Sequence, residues 1–185
     1  MDLADNTKTD KNTLHSYLPL YQALLASKRD TARNVLEVGI YNGGSIKLWS
    51  EFFTNATVYG VDVMPESYVW EEIKNKENIR LLTGTDAYDQ TILKTHFVEK
   101  NIKFDFVLDD GPHSLETQRK FIQMYLPLLA EDGILIIEDI QSIDWIRVLR
   151  NEVPASLQKC VMVYDLRANK GRSDDIVFTV DRAMC

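Results

Sequence analysis

The sequence predicts an α/β protein built on one doubly wound, mostly parallel sheet with helices on both faces. Strand patterns and helix patterns alternate from residue 35 to residue 151, and such alternation implies right-handed crossovers between parallel strands. After Pro154, two strand patterns follow one another without a helix between them, which predicts a C-terminal antiparallel hairpin. The chain has 185 residues, of which 45% are hydrophobic. This length allows one substantial core and is too short for two ordinary domains.

The elements are predicted in a regular order across a single domain, residues 1–185. Residues 1–13 are polar and lack periodicity, so we expect a mobile lead-in before a helix over Leu14–Ser27, in which Pro19 is suited to the first turn. Seven strands are predicted at Val35–Val38, Thr57–Val61, Ile79–Leu82, Phe104–Asp109, Gly133–Ile137, Cys160–Leu166 and Ile176–Val180. Five further helices are predicted at Ser45–Phe53, Tyr68–Asn75, Asp89–Glu99, Ser114–Leu129 and Ser142–Asn151. The aromatic stripe of Trp49, Phe52 and Phe53 is expected in the core.

Composition limits the classes of partner. The net charge of −7 and the pI near 5.0 argue against nucleic acid or an anionic membrane surface, because both require clustered positive charge. No apolar run approaches the roughly 20 residues of a membrane span, and Met1–Asn6 lacks the basic and apolar parts of a signal peptide. We therefore expect a cytoplasmic protein without membrane insertion and leave a homo-oligomer open. Cys160 and Cys185 have neither metal-ligand spacing nor a disulfide framework and are expected to be ordinary thiols.

Two predicted strands end in acidic side chains. The strand that begins at Phe104 runs into Asp109–His113, where Gly111 and Pro112 stop it, and the strand over Gly133–Ile137 ends in Glu138 and Asp139. Ligands of open α/β sheets bind at the carboxyl ends of the strands. If the two strands are neighbours, Asp110, His113, Glu138 and Asp139 converge there. The alternative for the last two is an acidic strand exit that faces water.

A glycine-containing turn follows the first strand. The segment Glu37–Ser45 contains Gly39, Gly43 and Gly44, and glycines there allow close approach of the backbone to a ligand, next to the free N–H groups of a helix start. Asp62 ends the second strand roughly 20 residues later, at the position of an acid that binds ribose hydroxyls. An adenosine-type cofactor is therefore favoured. Tyr41 occupies the position of the middle glycine of a dinucleotide motif, which disfavours nicotinamide cofactors, and a turn without any ligand is the alternative.

On these residues the chain resembles the class I methyltransferases that use S-adenosylmethionine, in the variant found in macrocin and mycinamicin sugar O-methyltransferases and the cephalosporin hydroxylase-like group. The resemblance runs from about His15 to Val180 and implies a Rossmann-like fold. It implies that the cofactor is bound by Glu37, Gly39, Tyr41, Asn42, Gly43, Ser45, Asp62, Val63, Asp86, Ala87 and Tyr88. It also implies that Asp110, Glu138 and Asp139 hold a divalent cation and that His113 is the general base.

The chemistry of these residue types agrees with that implication. Three converging carboxylates raise one another's pKa unless a cation lies between them, and oxygen ligands favour Mg²⁺, with Mn²⁺ or Ca²⁺ as alternatives. A cation on a substrate hydroxyl makes it more acidic, and an imidazole accepts its proton near neutral pH. Asp110 and His113 are therefore the expected catalytic residues. Asp109 is expected to contact either the methionine part of the cofactor or the backbone of its own turn.

The resemblance favours a sugar or glycan hydroxyl as the acceptor. A catechol-like small-molecule O-methyltransferase and a non-catalytic cofactor-binding module are the alternatives. Possible acceptor contacts are His15, Tyr17 and Arg172. A capping role for His15 and a solvated hairpin tip for Arg172 remain open, and His96 is expected to be structural.

Overall fold

The computed structural model describes residues 9–185, and its centre is a seven-stranded sheet. The strands are β1 (Asn34–Val38), β2 (Thr57–Val61), β3 (Ile79–Leu82), β4 (Phe104–Asp109), β5 (Leu129–Ile137), β6 (Val161–Asp165) and β7 (Ile176–Asp181). Their spatial order is β3-β2-β1-β4-β5-β7-β6. The first five are parallel, and β7 is antiparallel to both β5 and β6. The predicted doubly wound sheet with a C-terminal antiparallel hairpin is confirmed.

The α-helices are α1 (Leu18–Leu25), α2 (Gly44–Phe52), α3 (Glu71–Lys74), α4 (Gln90–Leu93), α5 (Leu115–Tyr125), α6 (Trp145–Glu152) and α7 (Arg167–Lys170). Short 3₁₀ segments lie at Ala26–Lys28, Glu66–Tyr68, Leu126–Leu128, Ala155–Cys160 and Arg182–Met184. Within residues 9–185, no helix combines the length and the apolar character that crossing a membrane requires.

Several helices are shorter than predicted, for local reasons. The helix predicted over Ser114–Leu129 ends at Tyr125, since Pro127 lacks an amide hydrogen and lies in a 3₁₀ segment that leads directly into β5. Ser114 caps its start as the sequence suggests, because its hydroxyl accepts a hydrogen bond from the amide of Thr117. The helix predicted over Asp89–Glu99 is one α-helical turn followed by a π-helical segment, Lys94–Val98.

Buried apolar side chains cover both faces of the sheet. From Phe106 to Leu108, successive residues of β4 alternate between the two faces, with Val107 packing on one face and Phe106 and Leu108 on the other. Trp49 stacks edge-on against Phe106, with ring centroids 5.3 Å apart. The predicted core stripe of α2 is confirmed, because all three of its aromatic rings are buried.

The register of the central strands brings the acidic segments together. Val38 of β1 pairs with Asp109 of β4, and Asp109 pairs with Ile137 of β5. The residues that follow these three positions therefore emerge side by side at the carboxyl edge of the sheet. The amide of Asp110 continues this pairing with a 2.8 Å hydrogen bond to the carbonyl oxygen of Val38.

Two expectations need correction. The cysteines are not free thiols: Cys160 and Cys185 form a disulfide, with their Cα atoms 5.2 Å apart, because the last 3₁₀ segment folds back beside Ala155–Cys160. Of the segment expected to be a mobile lead-in, residues 1–8 lie outside the described residues. Residues 9–13 pack on the protein, and Lys11 is completely buried.

Replacing Gly39 by alanine should destabilise the fold strongly. Gly39 has φ +83°, and a Cβ atom there would lie 1.9 Å from the carbonyl oxygen of Asp110. Left-handed strain costs about 1–2 kcal/mol and overpacking adds about 1–3 kcal/mol, so the free energy of unfolding should fall by about 2–5 kcal/mol. Gly84→Ala is the matched control, because Gly84 has φ +63° with nothing within 4 Å of the added Cβ. Urea denaturation should show a clearly larger loss for Gly39→Ala, and equal losses would contradict the assigned clash.

Candidate functional site

A cavity of about 730 Å³ opens at the carboxyl ends of β1, β2 and β4. This volume lies within the range of small-molecule sites, roughly 300–1,000 Å³. Many of the residues predicted to bind a cofactor line it: Gly39, Tyr41, Asn42, Ser45, Asp62, Val63, Asp86, Ala87 and Tyr88. Asp110 and His113 form another part of its wall, and Thr9, Asp10, Thr13 and Leu14 contribute from the N-terminal segment. The sequence did not predict a contribution from residues 9–14.

The cavity carries negative charge. Its lining includes the carboxylates of Asp10, Asp62, Asp86 and Asp110, and no Lys or Arg occurs among the described lining residues. A pyrophosphate group would be repelled by such a wall, whereas a ligand with positive charge would be attracted. The cavity therefore disfavours a nicotinamide dinucleotide on electrostatic grounds as well as on the spacing of the glycines.

Asp62 holds the glycine turn from the end of β2. One of its carboxylate oxygens accepts hydrogen bonds from the amides of Ile40 and Tyr41, at 2.7 and 2.8 Å, and the other accepts one from Met64 at 2.7 Å. A carboxylate has about four acceptor positions, so Asp62 can still accept a hydrogen bond from a hydroxyl in the cavity. Asp62 thus fixes the backbone of the glycine turn and can also bind a ligand in the cavity.

Three predicted residues lie behind the cavity wall rather than in it. Glu37 is completely buried and accepts a 2.9 Å hydrogen bond from the indole of Trp49. Gly43 starts α2 with φ +86°, and a Cβ atom there would lie 2.2 Å from Ile73. Asp109 is buried and bonded to Tyr88 at 2.7 Å and to the amide of Gly111 at 3.3 Å. Of the two roles left open for Asp109, the structure shows the contact with its own turn.

Asp110, His113 and Asp139 converge as the sequence predicts. Nε2 of His113 lies 3.9 Å from Oδ1 of Asp110 and 3.6 Å from Oδ2 of Asp139. One ligand atom from each residue lies within 4.8 Å of the other two. His113 and Asp139 both have positive φ angles, 53° and 55°. This backbone conformation is strained for residues other than glycine and occurs most often at functional sites. The donor set of two carboxylates and an imidazole fits a divalent cation.

Glu138 is directed elsewhere. It is buried, and Lys11 donates to its Oε1 at 2.5 Å while the Tyr21 hydroxyl donates to its other oxygen. Within the described part of the chain, the group of donors close enough to share an ion near Asp110 consists of Asp110, His113 and Asp139. Of the predicted ligand set, Asp110 and Asp139 lie close together, whereas Glu138 is bound by Lys11 and Tyr21, so the assignment of these three residues as cation ligands stays a prediction.

The sequence did not reveal that Lys11 belongs to the acidic cluster. Its ammonium lies 2.7 Å from Oδ2 of Asp110, 2.5 Å from Glu138 and 3.5 Å from Glu37. Burial alone would lower the pKa of Lys11, but the three carboxylates raise it well above its usual value and keep the ammonium charged. Burial raises the pKa of Glu138 well above its usual value, and Lys11 opposes that rise.

The residues proposed for acceptor contacts lie around Asp139 and the final hairpin. The Tyr17 hydroxyl donates to Oδ1 of Asp139 at 2.5 Å. Nδ1 of His15 lies 2.6 Å from Asp175 and 3.3 Å from Oδ1 of Asp139. Burial raises the pKa of Asp139, and the Tyr17 hydrogen bond opposes the rise. Arg172 pairs with Asp174 at 2.9 Å, is partly exposed and is not part of the cavity lining.

Part of the chain is similar in sequence to known methyltransferases. A family model described as a methyltransferase domain matches residues 36–140. Mycinamicin VI 2''-O-methyltransferase from Micromonospora griseorubida is 30% identical over 139 residues, which are 71% of this chain and 33% of that protein. A tetracenomycin-pathway enzyme from Streptomyces olivaceus, named 8-demethyl-8-(2-methoxy-alpha-L-rhamnosyl)-tetracenomycin-C 3'-O-methyltransferase, is 30% identical over 146 residues, 75% of this chain and 36% of that protein. The chain thus spans about a third of the length of these curated relatives.

Solved structures are similar in fold. The mycinamycin-pathway methyltransferase MycE, in a complex described as containing Mg, SAH and mycinamycin VI, superposes with a TM-score of 0.69 at 21% sequence identity. The alignment covers 91% of this chain and 50% of that one. The structural similarity therefore extends beyond the segment that matches the family model.

Glu37 should make the stability of the protein fall as the pH rises. Burial raises its pKa from 4.5 to about 7, although Lys11 opposes the rise. Between these values the folded protein holds a proton that the unfolded chain has released, so the free energy of unfolding decreases with pH, by at most about 3 kcal/mol for this group. Glu37→Gln should remove this dependence. Urea denaturation at pH 5 and pH 8 should show the parent losing stability relative to the variant.

Glu51→Gln provides the control for this experiment. Glu51 lies on the surface beside Lys47, and its pKa is lowered, because hydrogen bonding and charge from the lysine outweigh the effect of partial burial. Its contribution to stability is therefore lost on the acidic side and stays constant between pH 5 and pH 8. If the parent and Glu37→Gln respond in parallel to pH, the raised pKa of Glu37 is disproved.

Proposed function

This chain belongs to the methyltransferase-domain family, and on that premise we propose that it transfers a methyl group from S-adenosylmethionine to a hydroxyl, with the help of a divalent cation. The observation that carries the proposal is the extent of one cavity, which joins the turn held by Asp62 to the acidic cluster at Asp110 and His113. A methyl donor and an acceptor hydroxyl can therefore share one cavity, as an in-line transfer requires. The similarity to MycE, described with Mg and SAH, supports the choice of both cofactors.

The cavity wall fits the proposed cofactor. When bound, S-adenosylmethionine supplies a methyl group on a positively charged sulfonium, and the acidic lining of the cavity attracts that charge. Asp62 retains acceptor positions for ribose hydroxyls. We expect the adenine to lie against the part of the wall formed by Asp86, Ala87 and Tyr88. Glu37 and Gly43 act on this site indirectly, by supporting the turn from behind.

The acidic cluster fits a divalent cation, which would be Mg²⁺, Mn²⁺ or Ca²⁺. Asp110 and Asp139 are the carboxylates that would hold the cation. A bound cation would lower the pKa of an acceptor hydroxyl that coordinates it. His113 is partly exposed and faces the cavity, so its Nε2 can take the proton from the acceptor hydroxyl. The carboxylates of Asp110 and Asp139, 3.9 and 3.6 Å away, stabilise the imidazolium that results.

We propose a hydroxyl of a sugar or glycan as the acceptor. The names of two relatives describe a 2''-O-methyltransferase of mycinamicin VI and a 3'-O-methyltransferase of a rhamnosyl-bearing tetracenomycin. The lining side chains Leu14, Tyr41 and Val63 are 55%, 66% and 65% exposed. They offer apolar surface to the part of a larger acceptor that remains outside the cavity. A role restricted to cofactor binding is less consistent with a base and a cation site in the same wall.

Asp62→Ala should weaken binding of the demethylated cofactor product, S-adenosylhomocysteine. The substitution removes the acceptor for ribose hydroxyls and also releases the amides of Ile40 and Tyr41, so the affinity should fall by about 1–3 kcal/mol. Asp89→Ala is the control, because Asp89 caps α4 outside the cavity and has the same charge. Isothermal titration calorimetry should show a loss only for Asp62→Ala. A parent protein that binds NADH in preference to S-adenosylhomocysteine would refute the cofactor assignment.

His113→Ala should retain the cofactor and lose methyl transfer. A positioned general base contributes about 10² to 10⁴ in rate, and the imidazole does not support the turn that Asp62 holds. The measurement is transfer of a labelled methyl group to a panel of rhamnosides, hexosides and catechols, in the presence of Mg²⁺. His96→Ala is the control, because His96 lies in the π-helical segment beside Phe97, outside the cavity. An unchanged rate would exclude His113 as the base, and transfer to catechols alone would exclude a sugar acceptor.

A further inference from the structure

The ammonium of Lys11 binds the same carboxylates that a divalent cation is predicted to use. Nζ of Lys11 donates to Oδ2 of Asp110 at 2.7 Å and to Oε1 of Glu138 at 2.5 Å. Asp110 and Glu138 directly follow the neighbouring strands β4 and β5, and both belong to the ligand set that the sequence predicts. A cation that bridged these two carboxylates would lie where the ammonium lies. The two positive charges cannot share this position, because their repulsion is strong away from bulk water.

Both oxygens of Glu138 have a partner in the structure. Lys11 donates to one of them, and the Tyr21 hydroxyl donates to the other. Tyr21 is completely buried and lies within helix α1, so its position is fixed. Its neutral hydroxyl can also stay on a carboxylate oxygen that binds a cation, because each such oxygen has two acceptor positions. Lys11 carries a charge and ends a flexible four-carbon stem. Of the two partners, Lys11 is therefore the one that must move, and can move, to admit an ion.

Glu37 offers Lys11 a second position. Oε2 of Glu37 accepts a 2.9 Å hydrogen bond from Trp49, whereas its Oε1 is buried and accepts no hydrogen bond from residues 9–185. This second oxygen lies 3.5 Å from Nζ of Lys11, just beyond hydrogen-bond distance. A buried acceptor without a donor is unfavourable. A short movement of the ammonium towards Glu37 would complete this hydrogen bond and leave the other two carboxylates open to a cation.

We propose that Lys11 is a positioning residue of the cation site: it holds the carboxylates of Asp110 and Glu138 when no cation is bound, and it moves to Glu37 when the cation binds. This inference rests on the proposed function, because it assumes that a divalent cation binds to Asp110, Glu138 and Asp139. In both states a positive charge lies between Asp110 and Glu138, so these two acids never face each other without compensation. The exchange also links cation binding to the N-terminal segment that carries Lys11 and lines part of the cavity.

The test is a double-mutant cycle of Lys11→Met and Glu37→Gln in the full chain. Affinity for Mg²⁺ is measured by isothermal titration calorimetry without cofactor or acceptor, at pH 8, where Glu37 is mostly ionised. Lys11→Met removes the competing ammonium and should tighten binding by roughly 10- to 100-fold. Glu37→Gln removes the second position of the ammonium. It should weaken binding by about tenfold in the parent and by less than about threefold in the Lys11→Met background. Glu51→Gln, which removes the same charge at the surface, is the control and should change the affinity by less than about twofold.

Crystals of the parent soaked with Mn²⁺ test the exchange directly, even if Lys11→Met does not fold. Anomalous scattering locates the ion, and the electron density shows Nζ of Lys11. We expect the ion on Asp110 and Glu138, with Nζ within hydrogen-bond distance of Oε1 of Glu37. An ammonium that stays on both carboxylates beside a bound ion would overturn the inference.

The possible outcomes of the titrations separate this inference from the proposed function. An equal effect of Glu37→Gln in the two backgrounds would overturn the inference, because Glu37 would then act on the ion by its charge alone and not through Lys11. Binding of Mg²⁺ to Lys11→Met but not to the parent would overturn it as well, because the ammonium would then block the site without exchange. If neither protein binds Mg²⁺ while the parent still binds S-adenosylhomocysteine, the cation part of the proposed function fails instead.

Discussion

The ammonium of Lys11 is the interaction on which the site depends. It lies among the carboxylates of Glu37, Asp110 and Glu138, which come from the ends of three adjacent strands. Buried charges are strongly unfavourable unless they are paired. One fixed cation therefore balances the buried acids Glu37 and Glu138 and the partly exposed Asp110 at the edge of the sheet. It also ties the N-terminal segment to that edge, so that Thr9 and Asp10 become part of the cavity wall.

Much of the fold and part of the site could be predicted because the relevant signals are local. Strand and helix patterns, with turn residues between them, indicate the order of the elements, and parallel neighbours then bring the ends of β4 and β5 together. Asp110, His113 and Asp139 converge for this reason. Asp62 lies in the cavity wall for the same reason. The sequence does not show that Asp62 also accepts two backbone hydrogen bonds from the glycine turn and one from Met64.

What could not be predicted depends on contacts between distant parts of the chain. Lys11 and Asp110 are separated by 99 positions, and the polar residues around Lys11 have no periodicity that would indicate burial. Glu138 and Asp139 are consecutive, and the sequence does not show which of the two approaches His113. The disulfide links positions separated by 25 residues, and only the path of the last segment brings its cysteines together.

The position of Lys11 also bears on how such proteins can be divided into interchangeable parts. The segment that matches the family model, residues 36–140, contains the carboxylates of Glu37, Asp110, Glu138 and Asp139. Four residues that contact these carboxylates precede it: Lys11, His15, Tyr17 and Tyr21. A chimaera joined at the boundaries of the matched segment would transfer the acids without Lys11, His15, Tyr17 and Tyr21. The residues that build this site therefore extend beyond the segment that matches the family model.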